Sequence, residues 1–281
     1  MSNHLETLLA HAAREARRAI ICARCRRCEK PVGDLRRASL LAFCAMDMAS
    51  SDPRPYAIAA QVYLALDELD NALLAFRKLA TYSPNPVPAL LEIAAIHLAR
   101  RRLSRAYLWV SRALELNPCL AARALAAQIC ATMGQWQEEL AHWRAAVARE
   151  PENPAATYGL GLAQLAHGDP EQACRALQRV LGLRPAGFRR AHFYLGCALA
   201  ACGRWAEACA AFAQAAQREP SWAAAAHALG FSLLEAGRPR EALAPLRRAA
   251  QLDPNNGCYA ADLARAARHA AEPRSSPSAG A

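Results

Sequence analysis

Lysine is almost missing from this chain: of 34 basic residues only Lys30 and Lys78 are lysine, so arginine carries the net charge of +10. That bias, beside the many alanines, reads as GC-rich coding and a bacterial source. Aromatics are equally sparse, 6% of residues against 54% hydrophobic. An alanine-dominated apolar fraction excludes a large globular interior and suits closely packed helices. No uncharged run reaches eighteen residues, short of the ~20 that a membrane-spanning helix needs. Glu6, Arg14, Glu15, Arg17 and Arg18 interrupt any secretory signal in the first twenty residues. Eleven cysteines, an odd number, then imply reduced thiols and a cytoplasmic location, not a disulfide framework. Paired carboxylates, phosphate-binding glycine loops and nucleotide fingerprints are missing too. The eight histidines form no nucleophile–base set; His192 and Cys197, five apart, share a helical face poorly. The expectation is a chain that is not an enzyme and carries no cofactor.

What is present is a period. Pro84, Pro118, Pro151, Pro185, Pro220 and Pro254 stand 34, 33, 34, 35 and 34 residues apart. A period of this size marks one small unit repeated, which must stack on its copies to bury an apolar face. Aligned on the prolines, a tiny column reads Ala60, Ala94, Ala127, Gly161, Gly196, Gly230. A turn column reads Asp67, Arg101, Gly134, Gly168, Gly203, Gly237. A small column follows, Ala72, Ala106, Glu139, Ala173, Ala208, Ala242, and four residues later a large one, Phe76, Val110, Trp143, Leu177, Phe212, Leu246. Spacings of 3 and 4 are helical. The turn column should end a first helix in the left-handed conformation, and the proline should close a second. Each unit therefore reads as a helical hairpin, the tiny columns letting helices approach and the large column filling the gap between neighbouring units.

This pattern resembles the tetratricopeptide repeat, with its signature at Leu195, Gly196, Leu199, Ala208, Phe212, Ala215 and Pro220 and again at Leu229, Gly230, Leu233, Ala242, Leu246, Ala249 and Pro254. The unit at 120–153 departs most, with Arg123 and Glu139 at apolar or small positions. The resemblance implies an all-α, right-handed solenoid of helical hairpins. Six repeats are expected over 53–86, 87–119, 120–153, 154–188, 189–222 and 223–256. An N-terminal region, 1–52, holds a cap over 3–18 and a degenerate repeat over 19–52, with Gly33 in the turn column and Ala38, Ala42 and Ala45 in later ones. A capping helix over 257–271 and a disordered polar tail over 272–281 complete the chain.

In that family the first helices line the concave face. The resemblance thus implies a groove from Arg54, Gln61, Leu91, Gln128, Tyr158, Leu162, Leu165, Arg190, Phe193, His227, Phe231 and Leu234. The chaperone-binding clamp of some family members is absent, since Ala57, Gln61, Glu92, Ala121 and Leu125 occupy its columns. The implied role is a non-enzymatic scaffold or adaptor holding a peptide or helix of a partner protein, with Tyr158, Phe193 and Phe231 as apolar anchors. Two alternatives stay open: an arginine-driven nucleic-acid-binding solenoid, and a metal or redox sensor at Cys22, Cys25 and Cys28. Those three, at C-x-x-C-x-x-C spacing, read first as small buried hydrophobes, because no second pair completes a four-ligand site.

Overall fold

The structure, a computed structural model, describes residues 2–24, 32–183 and 187–271. Its described residues form fifteen α-helices. They divide into two compact units, Met1–His142 and Trp143–Ala281.

The first unit holds α1 (Ser2–Arg24), α2 (Val32–Met48), α3 (Pro53–Ala65), α4 (Leu69–Tyr82), α5 (Val87–Ala99), α6 (Leu103–Leu116), α7 (Leu120–Met133) and the start of α8 (Trp136–Arg149). The second holds the rest of α8, then α9 (Pro154–Ala166), α10 (Pro170–Gly182), α11 (Ala191–Ala201), α12 (Trp205–Arg218), α13 (Ala223–Glu235), α14 (Pro239–Leu252) and α15 (Gly257–Ala271). Consecutive helices from α1 to α7 and from α9 to α15 pack on one another, and first helices also touch first helices, as α1 does α3 and α11 does α9.

The helix ends follow from the columns. Pro84, Pro118, Pro151, Pro220 and Pro254 each stand two residues past the last residue of a second helix. Across the six repeats every turn-column residue has a positive φ: 62° at Asp67, 56° at Arg101, and 72–81° at Gly134, Gly168, Gly203 and Gly237. Three starts carry side-chain caps: Asp52, Asn153 and Asp169 accept from the backbone N–H of Arg54, Ala155 and Gln172.

Packing assigns the large column a wider part than expected. A Cβ on Gly196 would meet the Phe212 ring at 2.7 Å, and one on Gly161 would meet Leu177 at 3.1 Å. The large residue thus lies over the tiny residue of its own hairpin. It also joins hairpins: Phe76 shares a buried cluster with Ala59, Ala60 and Ala72 and with Ala89 and Ile93 of the following pair. Trp143 does the same in the second unit, pressed on Gly159 where a Cβ would have no room.

The N-terminal region differs in detail from the columns. Ala38, Ala42 and Ala45 are fully buried, yet α1 runs unbroken through residue 18. Gly33 lies inside α2, outside any left-handed turn. The helix starts one residue earlier, at Val32, with Asp34 in its first turn facing the positive helix end. The tail at 272–281 lies outside the described residues. In the divergent third repeat Glu139 is buried and Arg123 half-buried, and the boundary between the two units falls in that repeat's second helix.

Candidate partner-binding site

In the first unit the groove columns are polar and aliphatic. Arg54 is exposed, but its guanidinium is engaged. It donates to both Glu6 carboxylate oxygens at 3.0 and 3.1 Å, and to Asp52 at 2.7–3.1 Å. These contacts hold the Asp52 carboxyl below its ordinary range. Arg54 thus ties α1 to the start of α3. Gln61 is exposed and, with Leu64, Ala65 and Glu92, lines a cavity of about 640 Å³ whose other wall is Arg17, Ile20 and Ile21 of α1. Leu91 is half-buried against the apolar clusters around Val110 and Ala122. Gln128 is exposed on α7.

In the second unit the columns are aromatic, and the structure brings them together with rings that column counting missed. Tyr158 packs edge-on against Phe188 and Tyr194, at 5.0 and 6.1 Å between centroids. Phe193 meets Tyr194, Phe212 and, at 4.4 Å, Trp222. Arg190 lies 4.8 Å over the Trp222 ring, within cation–π range. Tyr158, Phe193 and Tyr194 remain half-exposed, and burial raises the Tyr158 hydroxyl to about 12. Phe188 and Trp222 sit just ahead of first helices, where helix-based columns do not look. Leu162 is half-buried, and Leu165 packs on the cluster around Leu177, Leu199 and Phe212.

His227 and Phe231 belong to a different neighbourhood. The His227 ring stacks on Tyr259 at 4.6 Å and its Nε2 meets Asp262 Oδ2 at 2.7 Å, both on α15. Phe231 lies between His227 and Trp205, and Leu234 packs on the cluster around Leu233 and Ala266. The last helix therefore covers this end of the column.

Three helix-borne cysteines are held as thiols. Burial raises the thiols of Cys130, Cys174 and Cys197 to about 11, which keeps them protonated at neutral pH. Cys25 and Cys28 lie outside the described residues, as does the Cys22 side chain. Among the described residues no group of three or more His, Cys, Asp or Glu is arranged to hold a metal ion.

Three family models match overlapping or adjoining stretches. A model described as anaphase-promoting complex, cyclosome, subunit 3 covers residues 65–146, and two tetratricopeptide-repeat models cover 125–188 and 189–222. A protein CTR9 homolog of Arabidopsis thaliana is 32% identical over 120 residues, which is 42% of this chain but only 11% of that protein. Among solved structures, a tetratricopeptide-repeat protein of Cytophaga hutchinsonii superposes with a TM-score of 0.66 at 15% identity, covering 82% of this chain and 95% of that one. The anaphase-promoting Cut9–Hcn1 assembly gives 0.61 at 17% identity over 84% of this chain, which spans 48% of that one. YrrB, described as having an unusual peptide-binding site, gives 0.58 at 24% identity, with 68% and 98% covered. At these identities the likeness to solved structures is one of fold. Matching family models, repeat columns and folded hairpins agree: the chain is a tetratricopeptide-repeat protein.

Proposed function

We propose that the protein is a non-enzymatic interaction scaffold that holds a peptide or helix of a partner protein on its first-helix face. Tetratricopeptide folds generally mediate protein–protein contacts. The observation that carries the reading is the half-exposed aromatic run Tyr158, Tyr194, Phe193 and Trp222 with Arg190 stacked on it. Rings already packed edge-on lose little freedom on binding, so they anchor partner side chains at low entropic cost. Arg190 adds one charged donor for a partner carboxylate.

The nucleic-acid alternative draws less support. Arg54, Arg100, Arg204, Arg238 and Arg265 are ion-paired. Arg179 and Arg248 donate to the Pro151 and Pro220 carbonyls. Seven of the 32 arginines are thus engaged within the protein.

The test is co-purification of partners with the full-length chain from its native extract, wild type against Tyr158→Ala/Arg190→Glu, with nuclease-treated controls and identification of what is retained. A protein retained by wild type and lost with the folded variant is expected. Equal retention by both, or retention of nucleic acid with a steep salt dependence, overturns the reading.

A further inference from the structure

Three leucines that no core requires recur on the second helices of the first unit. Leu40, Leu74 and Leu108 stand one period of 34 residues apart, two positions after the small column, and are 65, 61 and 65% exposed. Phe43, one turn on from Leu40, is 58% exposed. Single surface leucines need no explanation, but the same rung on three successive second helices is a pattern. The fold does not demand it: the same position further along the chain is Ala141, Arg175, Ala210 and Ala244.

Each rung has basic flanks one helical turn away, on its own face. Arg36 and Arg37 precede Leu40; Arg77 and Lys78 follow Leu74; Arg105 and Arg112 bracket Leu108, and all six are exposed. Acids at neighbouring positions are Asp47, Asp70 and Glu115, and Asp70 is already paired with Arg100. Furrows open beside the rungs. One, of about 180 Å³, is lined by Met46, Tyr56, Tyr63, Leu74 and Lys78. Another, of about 280 Å³, is lined by Leu108, Trp109 and Arg112 among others.

We propose that this face docks an acidic amphipathic helix of a partner protein. Apolar side chains of that helix enter the furrows beside the leucines, and its carboxylates meet the flanking arginines and Lys78. A second copy of this chain is opposed by charge, since the same basic flanks would face one another. A bilayer offers no side chains to fill discrete furrows.

Binding is measured on the full-length chain by fluorescence anisotropy. The probes are a synthetic amphipathic helix, about three heptads long, with leucines flanked by glutamates, and its isomer with lysines in place of the glutamates. Phosphatidylserine vesicles and analytical ultracentrifugation run in parallel. The acidic peptide is expected to bind saturably and the lysine isomer not. Leu40→Ser/Leu74→Ser/Leu108→Ser should weaken the acidic peptide at least about tenfold while leaving the melting temperature unchanged, since exposed positions carry little stability. Arg37→Glu/Lys78→Glu should transfer preference to the lysine isomer. Tyr158→Ala/Arg190→Glu should bind the acidic peptide like wild type, so this face and the first-helix groove fail separately. Absence of acidic-peptide binding, equal binding by the leucine variant, leucine-dependent binding of vesicles alone, or leucine-dependent self-association would each overturn the proposal.

Discussion

The two units solve one packing problem with opposite choices. In the first, alanine holds the tiny column at Ala60, Ala94 and Ala127, so those positions keep the best helix propensity. The cost lies in the turns, where Asp67 and Arg101 hold φ of 62° and 56°, a conformation costing a non-glycine residue about 1–2 kcal/mol. In the second unit the turns are all glycine, and glycine also fills the tiny column at Gly161, Gly196 and Gly230. Each of those costs its helix about 0.5–1 kcal/mol, but the missing Cβ lets Phe212 and Leu246 close directly on the first helix. The columns are therefore coupled in pairs: what the tiny position gives up in propensity, the large position recovers in contact.

The comparison can be broken most severely at Phe212. Phe212→Ala should cost about 3–5 kcal/mol and shift the urea midpoint of the second unit, because the glycine opposite cannot refill the space. Gly196→Ala comes next, at about 1–3 kcal/mol from overpacking. Adding Phe212→Leu should recover part of that loss if the two positions are coupled. Ala94→Gly in the first unit should cost the propensity term, about 0.5–1 kcal/mol, plus about 0.8 kcal/mol for the buried methyl it removes, in the same denaturation experiment. The turns should respond in the reverse sense: Gly203→Ala destabilises by about 1–2 kcal/mol, while Arg101→Gly stabilises by up to about 1 kcal/mol.

A smaller difference concerns acid. His97 is 2% exposed in the first unit and neither ring nitrogen has a hydrogen-bond partner. Burial first, then Arg102, Arg105, Arg77 and Arg100, holds its pKa below the ordinary 6.5. The unfolded chain therefore takes up a proton that the folded one refuses. Stability is full above pH 6.5 and falls as pH drops below it, with a slope of at most about 1.4 kcal/mol per pH unit. His97→Leu should flatten this part of the slope in melts between pH 7 and 5; an unchanged slope would assign it to another group.

Much of the fold was legible because proline and left-handed positions act locally. A proline cannot continue a helix whatever surrounds it, and its period could be counted without coordinates. Even Asp67 and Arg101, which are not glycine, were marked by their column. The candidate site was less legible. Arg54 and Arg248 look alike in sequence to any solvated arginine, yet one is held by Glu6, 48 residues away, and the other by the Pro220 carbonyl, 28 residues away. Trp222 and Phe188 fall between helices, so no helical spacing points to them. His227 stood in a groove column, but α15 supplies Tyr259 and Asp262 to cover it.

By itself, then, the amino-acid sequence determined the helical-hairpin class, its period and the ends of its helices, because capping, backbone φ and proline sterics depend on residues a turn apart. Only the tertiary structure decided which side chains stay available to a partner. Availability depends on what arrives from another hairpin, and stacking at a distance of one period leaves no mark in local spacing.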